Sequence, residues 1–168
     1  MKRIVICSLG IVLSLAFLSG PAFAVDKFAY VDLSKIFSEY NKTKDYDKVL
    51  EEKEGVYTTE RDKKVSEIKQ LQDKMNLLSD KEKETKKPDF ESRVKSLDEF
   101  DRQKQTDLRK EQDEKMKEIL KDIETAIKEY SEKENYTMVF NDRVLVYQVK
   151  TLDISDKIIA ILNKNYKK

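Results

Sequence analysis

No histidine and no tryptophan occur in this sequence of 168 residues, and its one cysteine, Cys7, lies inside an apolar N-terminal run. The common nucleophile and acid/base arrangements therefore cannot be assembled, and disulfides and the usual zinc ligand sets are excluded with them. Carboxylates, lysines and tyrosines remain, and no motif brings them together, so the chain reads as a protein that is not an enzyme, with no cofactor and no metal. Glycine and proline are scarce too, at three and two residues. Gly10, Gly20 and Pro21 fall within the first 24 positions, which leaves Gly55 and Pro88 as the only strong breakers beyond them. One glycine cannot build a phosphate-cradling loop, so nucleotide-driven cycling is not expected.

The first residues have the layout of an export signal: Lys2 and Arg3, an apolar stretch over 4–18, and a small-residue site ending Ala22-Phe23-Ala24. The apolar stretch is shorter than the ~20 residues a spanning helix needs, so cleavage between Ala24 and Val25 is expected, with delivery to the periplasm. Cys7 leaves with the signal. Of 34 basic and 33 acidic side chains, removal of Lys2 and Arg3 leaves 32 against 33, a net charge of −1. That balance gives no global footprint for nucleic acid. At 40% charged residues disorder is conceivable, but the charges are mixed in sign and apolar residues recur at helical spacing. Long, solvent-exposed helices account for both features.

Two helical stretches are predicted, over 34–79 and 88–134, with a polar segment without apolar residues between them and Pro88 opening the second helix. Their near-equal lengths indicate an antiparallel hairpin arm with its tip near 79–90. In the second helix Met116, Ile119, Ile123, Ala126 and Tyr130 follow a 3-4-3-4 spacing. Near the tip Ile68, Leu71, Met75 and Leu78 can meet Phe90, Val94 and Leu97. Between these zones Lys53, Arg61, Lys64, Asp101, Lys104 and Glu111 stand where a continuous coiled coil wants apolar side chains, so the middle of the arm is expected to be its loosest part. Gly55 lies in this stretch, either as a tolerated exposed glycine or as a hinge.

The two ends differ from the arm. "FAYVDLSKIF" (28–37) begins with a β-prone run, with Asp32 or Ser34 as a helix cap. "YTMVFNDRVLVYQV" (136–149) reads as a β-hairpin with strands at 136–140 and 144–148. "TLDISDKIIAILNKNY" then reads as a terminal helix with Asp153 as its cap and Asp156 in its first turn. The fold class is α+β, predominantly α: a helical hairpin over 34–134 projecting from a small β-rich base formed by 25–33 and 135–168. Roughly 40 residues is near the lower limit for an independent domain, so the base is expected to oligomerise. Its core would comprise Phe28, Tyr30, Val31, Met138, Val139, Phe140, Val144, Val146, Ile158 and Leu162.

The signal followed by "KFAYVDLSKIF", the charged hairpin and "YTMVFNDRVLVYQVKTLDISDKIIAILNK" together resemble the Skp/OmpH family of periplasmic chaperones. The resemblance spans the chain beyond the signal, and the two end segments carry it. It implies a homotrimer with a β-rich body and three helical tentacles, which holds unfolded outer-membrane proteins without ATP and delivers them toward the outer membrane. Tyr57 and Phe100 would then offer client contacts, unless they fill the arm seam. Binding of lipid head groups, implied for members with basic tentacles, is put in doubt by 18 basic against 16 acidic side chains over 61–121. The competing class is a structural coiled-coil spacer or docking protein of the cell envelope.

Overall fold

The computed structural model describes residues 26–167. The proposed cleavage site at Ala24 and Val25 lies outside them. Strand β1, Phe28–Val31, pairs in parallel with β2, Met138–Asn141, in the register Phe28↔Met138 to Val31↔Asn141. The long connection between them is what a parallel pair requires, because a tight turn cannot return the chain in the same direction. On the other side of β1, Tyr30 makes an isolated parallel bridge to Asp153, so β2 is the open edge of the sheet.

Helix α1, Leu33–Glu39, starts at Asp32, whose carboxylate accepts from the Lys35 N–H at 2.8 Å. It stops at Tyr40, which leaves helical geometry at ψ 125°, and α2 resumes at once over Asn41–Asn76. A short turn leads into α3, Asp80–Glu134. The expectation that Pro88 opens the second helix is therefore corrected, because it is the ninth residue of α3. The cap is Ser79, whose N–H donates to Glu82 at 3.0 Å. Proline leaves only the Glu84 carbonyl without its helical donor, and both residues are exposed, so water can take that place. The arm's helices are thus unequal, at 36 and 55 residues, or about 54 and 82 Å at the α-helical rise.

Asn135 ends α3 in the left-handed region, at φ 58° and ψ 41°. Asparagine adopts that conformation more readily than most residues, and it turns the chain into β2. The predicted second strand at 144–148 is not formed. Asp142–Val144 is a 3-10 turn, in which the Asn141 side chain accepts from the Arg143 N–H and Asp142 accepts from the Leu145 N–H. The Arg143 guanidinium also donates to Ser34 Oγ at the start of α1, drawing the turn away from β2 instead of folding the chain back along it. A second 3-10 turn, Lys150–Leu152, precedes α4, Ser155–Asn165. Asp153 stands one residue before the formal cap, yet its carboxylate accepts from the Ser155 N–H at 2.9 Å, the bond a capping aspartate makes.

One core joins these elements. Ala29 and Val31 of β1, Ile36 of α1, Ile119, Ile123 and Ala126 of α3, and Ile158 and Leu162 of α4 are buried together. The core thus crosses the division between base and arm and includes the root of the hairpin.

Candidate functional site

The residues proposed for the oligomerisation core fall into two groups. Tyr30, Val31, Ile158 and Leu162 are buried within the chain, and Val139 packs half-buried against the core that holds Val31, Ile158 and Leu162. Phe28, Met138, Phe140, Val144 and Val146 are exposed, Val144 at 68% and Val146 completely. Alternation along β2 turns Met138 and Phe140 outward, with Phe140 6.3 Å from the ring of Phe28, while Val139 faces the core. Tyr147 and Val149, on the segment after β2, are exposed as well. The base therefore presents an open strand edge beside the exposed apolar side chains of Phe28, Met138 and Phe140.

The arm seam is apolar at both ends and polar between. At the root Ile119, Ile123 and Ala126 are buried and Tyr130 stacks on Tyr136 at 6.3 Å, while Met116 is 39% exposed. Near the tip Ile68, Leu71, Met75, Leu78, Phe90 and Leu97 are half-buried, and Val94 is exposed. The charged residues of the middle face one another across the seam. Lys53 reaches Glu111 at 2.6 Å, Lys104 lies 3.8 Å from Glu60, and Asp101 accepts from Arg61 at 3.0 Å and from the Tyr57 hydroxyl at 3.1 Å. Tyr57 and Phe100 stand ring to ring at 5.9 Å, and the Lys64 and Lys104 ammonium groups lie 5.2 and 5.6 Å from the Phe100 centroid. Both aromatics thus line the seam. Tyr57 also borders an open cleft of about 390 Å³ with Val56 and Leu108. At Gly55 the helix is unbroken, and an added Cβ would meet nothing within 4 Å.

A second polar cluster ties α2 to α3 at the root. Lys42 bridges Glu118 at 2.6 Å and Asp122 at 2.7 Å, and the Tyr40 hydroxyl donates to Asp122 at 3.1 Å. Burial alone would lower the pKa of the Lys42 ammonium, but its hydrogen bonds to Asp122 and Glu118 outweigh that and raise it. Hydrogen bonds from Lys115 and Lys42 hold the Glu118 carboxyl down at about 2. Burial, followed by the charge of Asp122, pushes Tyr40 up to about 12. Sequence periodicity had not singled out this cluster, because Lys42, Glu118 and Asp122 look like any other surface charges on a helix.

Among the described residues no group of three His, Cys, Asp or Glu side chains could hold a metal ion, and no helix is long and apolar enough to cross a membrane. A model of the outer membrane protein (OmpH-like) family matches residues 27–162, taking in the strand at one end, the whole hairpin and most of the terminal helix. The chain belongs to the OmpH-like family. No curated protein matches its sequence. Among solved structures, this OmpH-like chain is similar to a protein from Caulobacter crescentus CB15 described as a candidate OmpH-like outer membrane chaperone. The TM-score is 0.76 over 89% of each chain at 13% identity, a likeness of fold alone. The shared architecture is that of an OmpH-like protein with long helical arms and a small sheet.

Proposed function

We propose that this OmpH-like protein is a homotrimeric, ATP-independent holdase of the periplasm that binds unfolded outer-membrane proteins between its arms, prevents their aggregation and aids their delivery to the outer membrane. The observation that carries the reading is the distribution of exposed apolar side chains. At the base they include Phe28, Met138 and Phe140 on the paired strands and Val144, Val146 and Tyr147 on the segment that follows, and along the arm they are scattered singly, as at Val49, Val56 and Val65. Exposed apolar side chains beside an open strand edge call for cover, which further copies of the chain supply. Scattered contacts on a polar arm suit weak, sequence-tolerant holding of an extended client, with lysine stems adding apolar length while their charge stays in water.

In this reading Phe28, Met138, Phe140, Val144 and Val146 form contacts between copies, and Tyr30, Val31, Val139, Ile158 and Leu162 support them from within each chain. The cleft beside Tyr57 is one of the client contacts, and Phe100 backs it from the seam. Periplasmic delivery rests on the signal read over residues 1–24. Lipid head groups do not enter the proposal, because the arm is close to neutral.

A urea-unfolded outer-membrane barrel diluted into buffer tests the reading by light scattering. Suppression of scattering at several-fold trimer excess is expected, and unchanged scattering would sink it. Native mass spectrometry should show three copies, with one barrel bound. Three copies without the barrel would return the protein to the class of envelope spacers.

A further inference from the structure

The helical run from Leu33 to Asn76 is interrupted at one residue, Tyr40, without glycine or proline. Such a break leaves carbonyls unpaired at the end of α1 and N–H groups unpaired at the start of α2. Tyr40 cannot cap α2 itself, since its ring is buried and its hydroxyl is committed to Asp122. A side chain from α4, 122 residues away in sequence, takes that role: Asn163 Oδ1 accepts from the Asn41 N–H at 2.7 Å. The same amide donates through Nδ2 to the Glu39 carbonyl at 3.2 Å. Asn163 thus serves both broken ends, and the Tyr166 ring meets Tyr40 edge-on at 5.9 Å beside it.

The opposite end of α4 is fastened to the base. The Ile154 N–H donates to the Tyr30 carbonyl at 3.0 Å, the Asp32 N–H donates to Ser155 Oγ at 2.8 Å, and Lys35 pairs with Asp156 at 2.6 Å. Between the two ends, Ile158 and Leu162 are buried in the core. The arm's two helices therefore meet the base differently. α3 runs into the core without a break, whereas α2 arrives through the Tyr40 corner.

We propose that α4 is a strut that seats the root of α2 on α3, and that Asn163 is the positioning residue through which it acts. The strut couples the sheet of the base to the first turn of the outgoing arm, so displacement of α4 on β1 changes the seating of α2. This concerns the chain's own mechanics and goes beyond the holdase reading, whose failure would leave it standing.

Hydrogen exchange on the full chain, read amide by amide, tests it with Asn163→Ala and Asn163→Asp. The alanine variant should speed exchange over 41–44 by about tenfold, the scale of a lost helix cap, and leave the amides of 158–162 unchanged. The aspartate variant keeps the acceptor for Asn41 at the positive end of α2 but loses the donor to the Glu39 carbonyl, so it should restore protection at Asn41 in part. Unchanged exchange over 41–44 in the alanine variant overturns the proposal. So does an equal rise throughout α4, or an aspartate variant that behaves like alanine.

Discussion

Asp101 offers the sharpest test of the polar seam. Its two oxygens accept from Tyr57 and Arg61, which reach it from α2, and its side chain is 21% exposed against 43% for Arg61. Asp101→Ala removes both bonds. The hydroxyl bond contributes about 1 kcal/mol net. The ion pair is partly solvated and so contributes no more than about 1 kcal/mol. A loss of about 1.5–2 kcal/mol is therefore expected, measured by urea unfolding followed through helical circular dichroism at fixed protein concentration, because the proposed assembly would make stability concentration-dependent. A double-mutant cycle with Arg61→Met isolates the pair and should return a coupling of about 0.5–1 kcal/mol, shrinking as salt is raised. The coupling between Asp101 and Tyr57, measured with Tyr57→Phe, should keep most of its value in salt. If both couplings fall below about 0.3 kcal/mol, within the scatter of independent sites, the seam's middle is merely solvated charge and the reasoning fails.

Gly55→Ala should stabilise α2 by about 1 kcal/mol, because the new methyl group meets only open space. Hydrogen exchange over 50–60 should slow, and no slowing would remove Gly55 as a hinge. Glu118, whose folded pKa of about 2 lies below its ordinary 4.5, contributes stability at neutral pH that is lost as pH falls from about 4.5 to about 2. Urea midpoints measured across that window should fall less steeply in Glu118→Gln. Val146→Asp, on a fully exposed side chain, should dissociate the oligomer in sedimentation while leaving helical content intact, whereas Val31→Asp, at a position 3% exposed, should unfold the base itself. An assembled Val146→Asp protein would remove that side chain from the contact between copies.

Much of the arm was legible because the signals are local. The 3-4 spacing from Met116 to Tyr130 marks one helix face from neighbours within the same helix, and the near absence of glycine and proline permits long helices. The charged seam positions were legible as charges but not as pairs. Lys53 and Glu111 are 58 residues apart, and only the register of the hairpin brings them together. The tip was misplaced for a related reason. Pro88 is a good helix starter in isolation, yet the Ser79–Glu82 cap starts α3 earlier, and an exposed proline about two turns further in costs it a single backbone bond.

The sequence alone determined the class of molecule. Without histidine, and with its one cysteine in the apolar N-terminal run, it leaves common catalytic constellations unbuilt, and its charged, helix-period middle between two β-prone ends specifies an arm on a small base. Tertiary structure decided the rest. β-propensity at 144–148 is only a readiness to fit a pleated surface, and in this chain a turn tied to α1 carries that segment away from β2. Tyr40 ends a helix with no local breaker because the core takes its ring, Asp122 takes its hydroxyl, and Asn163 receives the backbone groups the break exposes. Such partners lie some eighty to more than a hundred and twenty residues away in sequence, so no window along the chain contains the energy that selects them.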